Sequence, residues 1–142
     1  MTKKVIITVK GTQNIEEVGD DDVELMTVGE YTYENGSGSF WYQESEITGM
    51  EGTTTKFTFT PEEVVIAREG TFTSRMVFVE GKKNIFLYDT PFGSTTMGID
   101  THKIHNSLTE KGGVLDIDYT LQVDRVMVSR NRFTVKIKEQ AG

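Results

Sequence analysis

The chain has 142 residues, no cysteine and a formal net charge of −7. Such a length suits one domain over residues 1–142, large enough to bury roughly 70% of its unfolded surface without cross-links. The missing cysteine excludes disulfides, thiolate metal sites and cysteine nucleophiles, and the acidic balance disfavours phosphate backbones and anionic lipid, so neither nucleic acid nor membrane is expected as a partner.

No apolar stretch approaches a membrane span, and Val5–Val9 is too short for a signal-peptide core, which points to a cytoplasmic protein. No segment keeps a helical period. Lys3–Thr12 reads as the first strand, with Val5, Ile7 and Val9 on one face. Gln13–Asp22 reads as an acidic loop and Val23–Glu34 as the second strand. Asn35-Gly36 is the strongest hairpin signal, because both residues tolerate positive φ. Ser39–Ile47 follows with Phe40-Trp41-Tyr42, of which neighbours face opposite sides. Next, Phe57 and Phe59 share one face while Lys56, Thr58 and Thr60 share the other.

Pro61-Glu62 turns the chain into Glu63–Glu69, and Gly70 turns it into Thr71–Glu80, where Phe72, Met76 and Phe78 share a face. The opposite parity places Arg75 outside. Asn84–Thr90 follows, then a turn at Thr90-Pro91-Phe92-Gly93, then Ser94–Lys103. The final hairpin alternates most cleanly. Leu115, Ile117, Tyr119, Leu121 and Val123 face one way and Asp116, Asp118, Thr120, Gln122 and Asp124 the other. After a turn at Ser129-Arg130-Asn131, Phe133, Val135 and Ile137 alternate with Arg132, Thr134, Lys136 and Lys138. Acids outward on one strand and bases on its neighbour help set the register.

About ten strands with short turns predict an all-β fold, a single antiparallel meander β-barrel closed by pairing of the first and last strands. A barrel of eight strands is just wide enough for side chains or one small ligand, so a wider one is either filled by large side chains or partly open.

Several motifs carry a resemblance. They are Tyr42-Gln43-Glu44, the run from Gly52 to Thr55, Ala67-Arg68-Glu69-Gly70, Tyr88-Asp89-Thr90-Pro91-Phe92-Gly93, Gly112-Gly113 and Tyr119. In order and spacing they resemble the YwiB-like family of bacterial proteins over nearly the whole chain. The resemblance implies a lipocalin-like (calycin-type) barrel in the cytoplasm and brings no active site to carry over.

The candidate site comes from parity. Phe40, Tyr42 and Glu44 share a face, as do Val64, Ile66 and Arg68. If both faces point inward, a phenol, a carboxylate and a guanidinium enter an apolar lumen. A buried guanidinium needs a partner, either Glu44 or a ligand carboxylate or phosphate held by two hydrogen bonds. His102 and His105, three apart on a strand, face opposite sides and read as surface histidines near a strand end rather than a metal pair, and Asp20-Asp21-Asp22 lacks the spaced ligands of a calcium loop. Neither a nucleophile elbow nor a phosphate loop occurs.

No metal, cofactor or catalytic residue is therefore expected. The reading is a non-enzymatic barrel that binds a small, partly apolar ligand through Tyr42, Glu44 and Arg68, with an anionic group as one option. The alternative is a packed barrel that recognises a protein partner through its surface or rim.

Overall fold

The computed structural model describes residues 2–15, 19–46, 50–123 and 126–140. The alternation seen in the sequence becomes ten strands: β1 (Thr2–Ile15), β2 (Gly19–Glu34), β3 (Ser37–Gln43), β4 (Thr53–Phe59), β5 (Val64–Gly70), β6 (Ser74–Phe78), β7 (Lys83–Thr90), β8 (Gly93–Asn106), β9 (Gly112–Val123) and β10 (Val126–Glu139). They form one antiparallel sheet in the order β6-β5-β4-β3-β2-β1-β10-β9-β8-β7, a nearly closed meander barrel. Asn35 and Gly36 both take positive φ, 51° and 85°, as a two-residue turn between β2 and β3 requires.

Strands β1 and β10 pair along most of their length, as expected. The break in the barrel falls instead between consecutive strands in mid-chain. Between β6 and β7 the backbone ladder shrinks to one bridge, Thr73 with Asp89, exchanging two 2.9 Å hydrogen bonds. Asn84 Nδ2 also donates to the Val77 carbonyl at 3.2 Å across the same seam. Five residues long, β6 is a short edge, which offers little backbone to a foreign strand.

Two expected turns are strand instead. The Gln13–Asp22 segment is mostly ladder: Thr12 lies opposite Asp22, Gln13 opposite Asp21 and Asn14 opposite Asp20. The side chains of Asp20, Asp21 and Asp22, and so the calcium question, lie outside the described residues. Ser129, Arg130 and Asn131 also sit inside a strand, β10, paired with Leu121, Thr120 and Tyr119. Arg130 bonds Asp118 through Nε at 3.3 Å and Nη2 at 3.1 Å, so the charge pattern extends the ladder through residues that otherwise favour turns. Arg132 engages Asp116 in the same two-pronged way.

The interior divides into two ends. At the end where β2 turns into β3, aromatic rings fill the barrel. Phe40 and Phe57 stack with centroids 4.6 Å apart, and Tyr31 lies against Phe40 and Phe59. Val5, Ile7, Val64, Ile66, Leu115 and Ile117 complete the packing, all essentially inaccessible. The connection between β8 and β9 covers this end, with Leu108 buried and the Tyr31 hydroxyl donating to the Thr109 carbonyl at 2.6 Å. The opposite end is not filled.

Candidate functional site

At that unfilled end, strand alternation brings inward residues from nearly every wall around a cavity of about 290 Å³. That is at the small end for ligand pockets, which run roughly 300–1,000 Å³. Val9, Leu25, Phe86, Leu121 and Phe133 make it largely apolar, and Met50, Met76 and Met97 bring half of the chain's six methionines. Unbranched thioether side chains adapt their shape to irregular contents.

The polar part of the lining includes the trio expected from parity, beside Thr12, Tyr88, Tyr119, Asn131 and Arg132. Tyr42, Glu44 and Arg68 all border the cavity and are 3%, 7% and 8% exposed, while Trp41 points outward. Registration explains how they meet. Tyr42 on β3 lies opposite Thr55 on β4, Thr55 opposite Arg68 on β5, and Arg68 opposite Ser74 on β6, so one transverse row crosses the wall. Glu44 follows β3 directly and is pinned by its backbone, whose N–H donates to the Thr53 carbonyl at 2.8 Å.

The ion pair within this row is loose. Arg68 Nε stands 3.9 Å from Glu44 Oε2, beyond hydrogen-bond reach, and Oε2 instead accepts the Thr55 hydroxyl at 2.6 Å. Arg68 Nη1 donates to the Met76 sulfur at 3.6 Å, a weak acceptor. Glu44 Oε1 and Arg68 Nε are buried with no hydrogen-bond partner among the described residues. Buried polar groups normally find partners, so this arrangement is held by the surrounding sheet rather than by mutual satisfaction.

The family model described as a domain of unknown function, DUF1934, matches residues 7–135. The chain belongs to this family. The crystal structure of the ywiB protein from Bacillus subtilis has the same fold, with a TM-score of 0.85 at 22% identity over 99% of this chain and 94% of that one. The YwiB-like resemblance read from the motifs is thereby confirmed. No curated protein matches the chain.

Sequence parity missed Tyr119 as a cavity residue, although its inward face was legible. It enters from β9 on the opposite wall, edge-on to Phe78 at 5.0 Å and stacked on Phe133 at 5.9 Å. There it is close enough to Arg68 to feel its charge. Thr55 was also missed; the signal was the alternating run from Gly52 to Thr55, which places two hydroxyls on the buried face. Both histidines lie on the surface as expected, though not on opposite faces. A bulge between Thr101 and Lys103 breaks the alternation, and both His102 and His105 are exposed. His102 Nε2 meets the Thr120 hydroxyl at 2.5 Å, and among the described residues no three His, Asp or Glu side chains converge.

Burial pushes the Tyr42 hydroxyl well above the ordinary phenol range, the negative charge of Glu44 adds to this, and Arg68 opposes it. Burial raises Tyr119 in the same direction, again opposed by Arg68, and burial followed by Tyr33 raises Tyr31. The native state therefore holds these protons after the unfolded chain has released them. Their contribution to stability is complete below the unfolded value of 10.0 and is lost as pH climbs above it. Urea titrations should show stability falling steeply above about pH 10. Absorbance at alkaline pH should show these three phenols ionising only as the fold is lost. Ionisation of all three within the native state would contradict their placement.

Proposed function

We propose that the protein is a non-enzymatic binding barrel that holds a small, partly apolar ligand in the lumen, working in the cytoplasm. Arg68 anchors the polar group of the ligand, Tyr42 donates a hydrogen bond to it, and Glu44 orients Arg68 when the lumen is empty. One observation carries this reading: a buried, incompletely satisfied Arg68–Glu44 pair stands at the wall of an otherwise apolar cavity. A carboxylate or phosphate is among the groups a guanidinium can take, through two parallel hydrogen bonds.

Native mass spectrometry of gently purified protein, compared with the denatured mass, tests it. The expected result is an added mass that disappears on denaturation and is missing from a folded Arg68→Ala variant. An apo mass under all conditions, with Arg68→Ala merely unfolding, would make the pair structural and defeat the reading.

A second reading rests on the outer face, where Ile85, Leu87 and Phe92 are 73%, 57% and 96% exposed. Such residues suit recognition of a protein partner through the surface. Capture from a native lysate separates the two, because a stoichiometric partner lost on Leu87→Lys favours the surface and a ligand carrier predicts none.

A further inference from the structure

The charges around the cavity determine what kind of ligand suits Arg68. Both partners line the cavity, but the Glu44 side chain is 1% exposed against 10% for Arg68, so Arg68 presents the more accessible group. The other formal charge in the lining, Arg132, is already engaged by both oxygens of Asp116. Each cation bordering the cavity thus has a resident carboxylate, and the whole chain adds a field of net charge −7. A ligand carboxylate placed on Arg68 would also lie beside Glu44, a like charge in a poorly solvated place. A ligand cation would lie beside Arg68, a like charge in the same poorly solvated place.

The hydrogen-bonding deficit points the same way. Arg68 Nε has no partner and Nη1 has only a thioether, so the guanidinium lacks a good oxygen acceptor. The phenol of Tyr119, held protonated by burial, is a further donor on the opposite wall, whereas that of Tyr42 is already directed at Glu44. A site whose unmet groups are one donor, Arg68 Nε, and one acceptor, Glu44 Oε1, and whose charges balance suits a neutral ligand group that carries a carbonyl oxygen.

We infer that the cavity takes an uncharged ligand that presents a carbonyl oxygen, as in an amide or lactam, to Arg68, with its apolar body among Met50, Met76 and Met97. The inference rests on the lumen-binding reading and replaces the anionic option within it.

The test uses three planar probes of nearly equal shape: benzamide, benzoate and benzamidine, neutral, anionic and cationic in turn. Binding to the full chain is followed by calorimetry at neutral pH and millimolar probe. Benzamide is expected to bind at least about tenfold more tightly than either charged probe, a difference of about 1.4 kcal/mol. Glu44→Gln, which removes the balancing charge and keeps the shape, should reverse the order and favour benzoate. Benzoate binding as well as or better than benzamide to the unaltered protein would overturn the inference and leave the lumen reading standing. Unchanged preference in folded Glu44→Gln would also overturn it. If none of the three binds and the native mass is that of the bare chain, the inference and the lumen reading fail together.

Discussion

Replacing Glu44 with alanine is expected to destabilise the fold by about 3 kcal/mol, because it leaves a guanidinium buried beside a cavity without its counter-charge. The Arg68 side chain is only 10% exposed, and its remaining partner would be the Met76 sulfur at 3.6 Å. The Thr55 hydroxyl would lose its acceptor as well. Arg68→Met alone should cost a comparable amount for the converse reason, a carboxylate left with the Thr55 and Tyr42 hydroxyls and no cation. The combination of Glu44→Ala with Arg68→Met should cost less than the sum of the two single changes, since both formal charges are removed together. Urea denaturation of the four proteins gives the coupling directly. Strictly additive losses would show that the 3.9 Å separation carries no energetic interaction.

Phe57→Ala should cost still more, about 3–5 kcal/mol, and lower the melting temperature by roughly 10 °C or more. The ring is inaccessible, stacks on Phe40 at 4.6 Å, and forms an inward row with Phe40 on β3, Ile66 on β5 and Met76 on β6. Strands cross on both sides, so the hole left behind has little freedom to collapse. Met97→Ala, half-buried on the cavity wall, should cost well under half as much because its side chain already borders space. Equal losses at the two positions would mean that the barrel is packed alike at both ends, contrary to the division between an aromatic end and a cavity end.

Much of this was readable from local pattern. Period-two alternation placed Val5, Ile7, Phe57, Phe59, Ile117 and Val135 inside, and burial bears each of them out. It also aimed Tyr42 and Arg68 inward from strands that turned out to be separated by β4 alone. Where the reading failed, two local signals competed. Ser129-Arg130-Asn131 has turn chemistry, yet cross-strand pairing of Arg130 with Asp118 keeps it in the ladder. The acidic run at Asp20 looked like a loop because charge is easily solvated, yet its backbone pairs with Thr12, Gln13 and Asn14 and stays in the ladder.

By itself the sequence determined the fold class, the inner face of most strands, the Asn35-Gly36 hairpin and the opposite charges of β9 and β10. Each of these depends on residues close together along the chain or on a single two-strand match. Only the tertiary structure decided that the barrel is sealed by one bridge between β6 and β7 rather than by a full ladder, that its aromatic side chains gather at one end, and that Tyr119 faces Arg68 across the opening left at the other. Those features depend on how ten strands twist and close, and on a bulge at His102 that flips the alternation and turns His105 outward, a sum of small register choices that no local run of residues encodes.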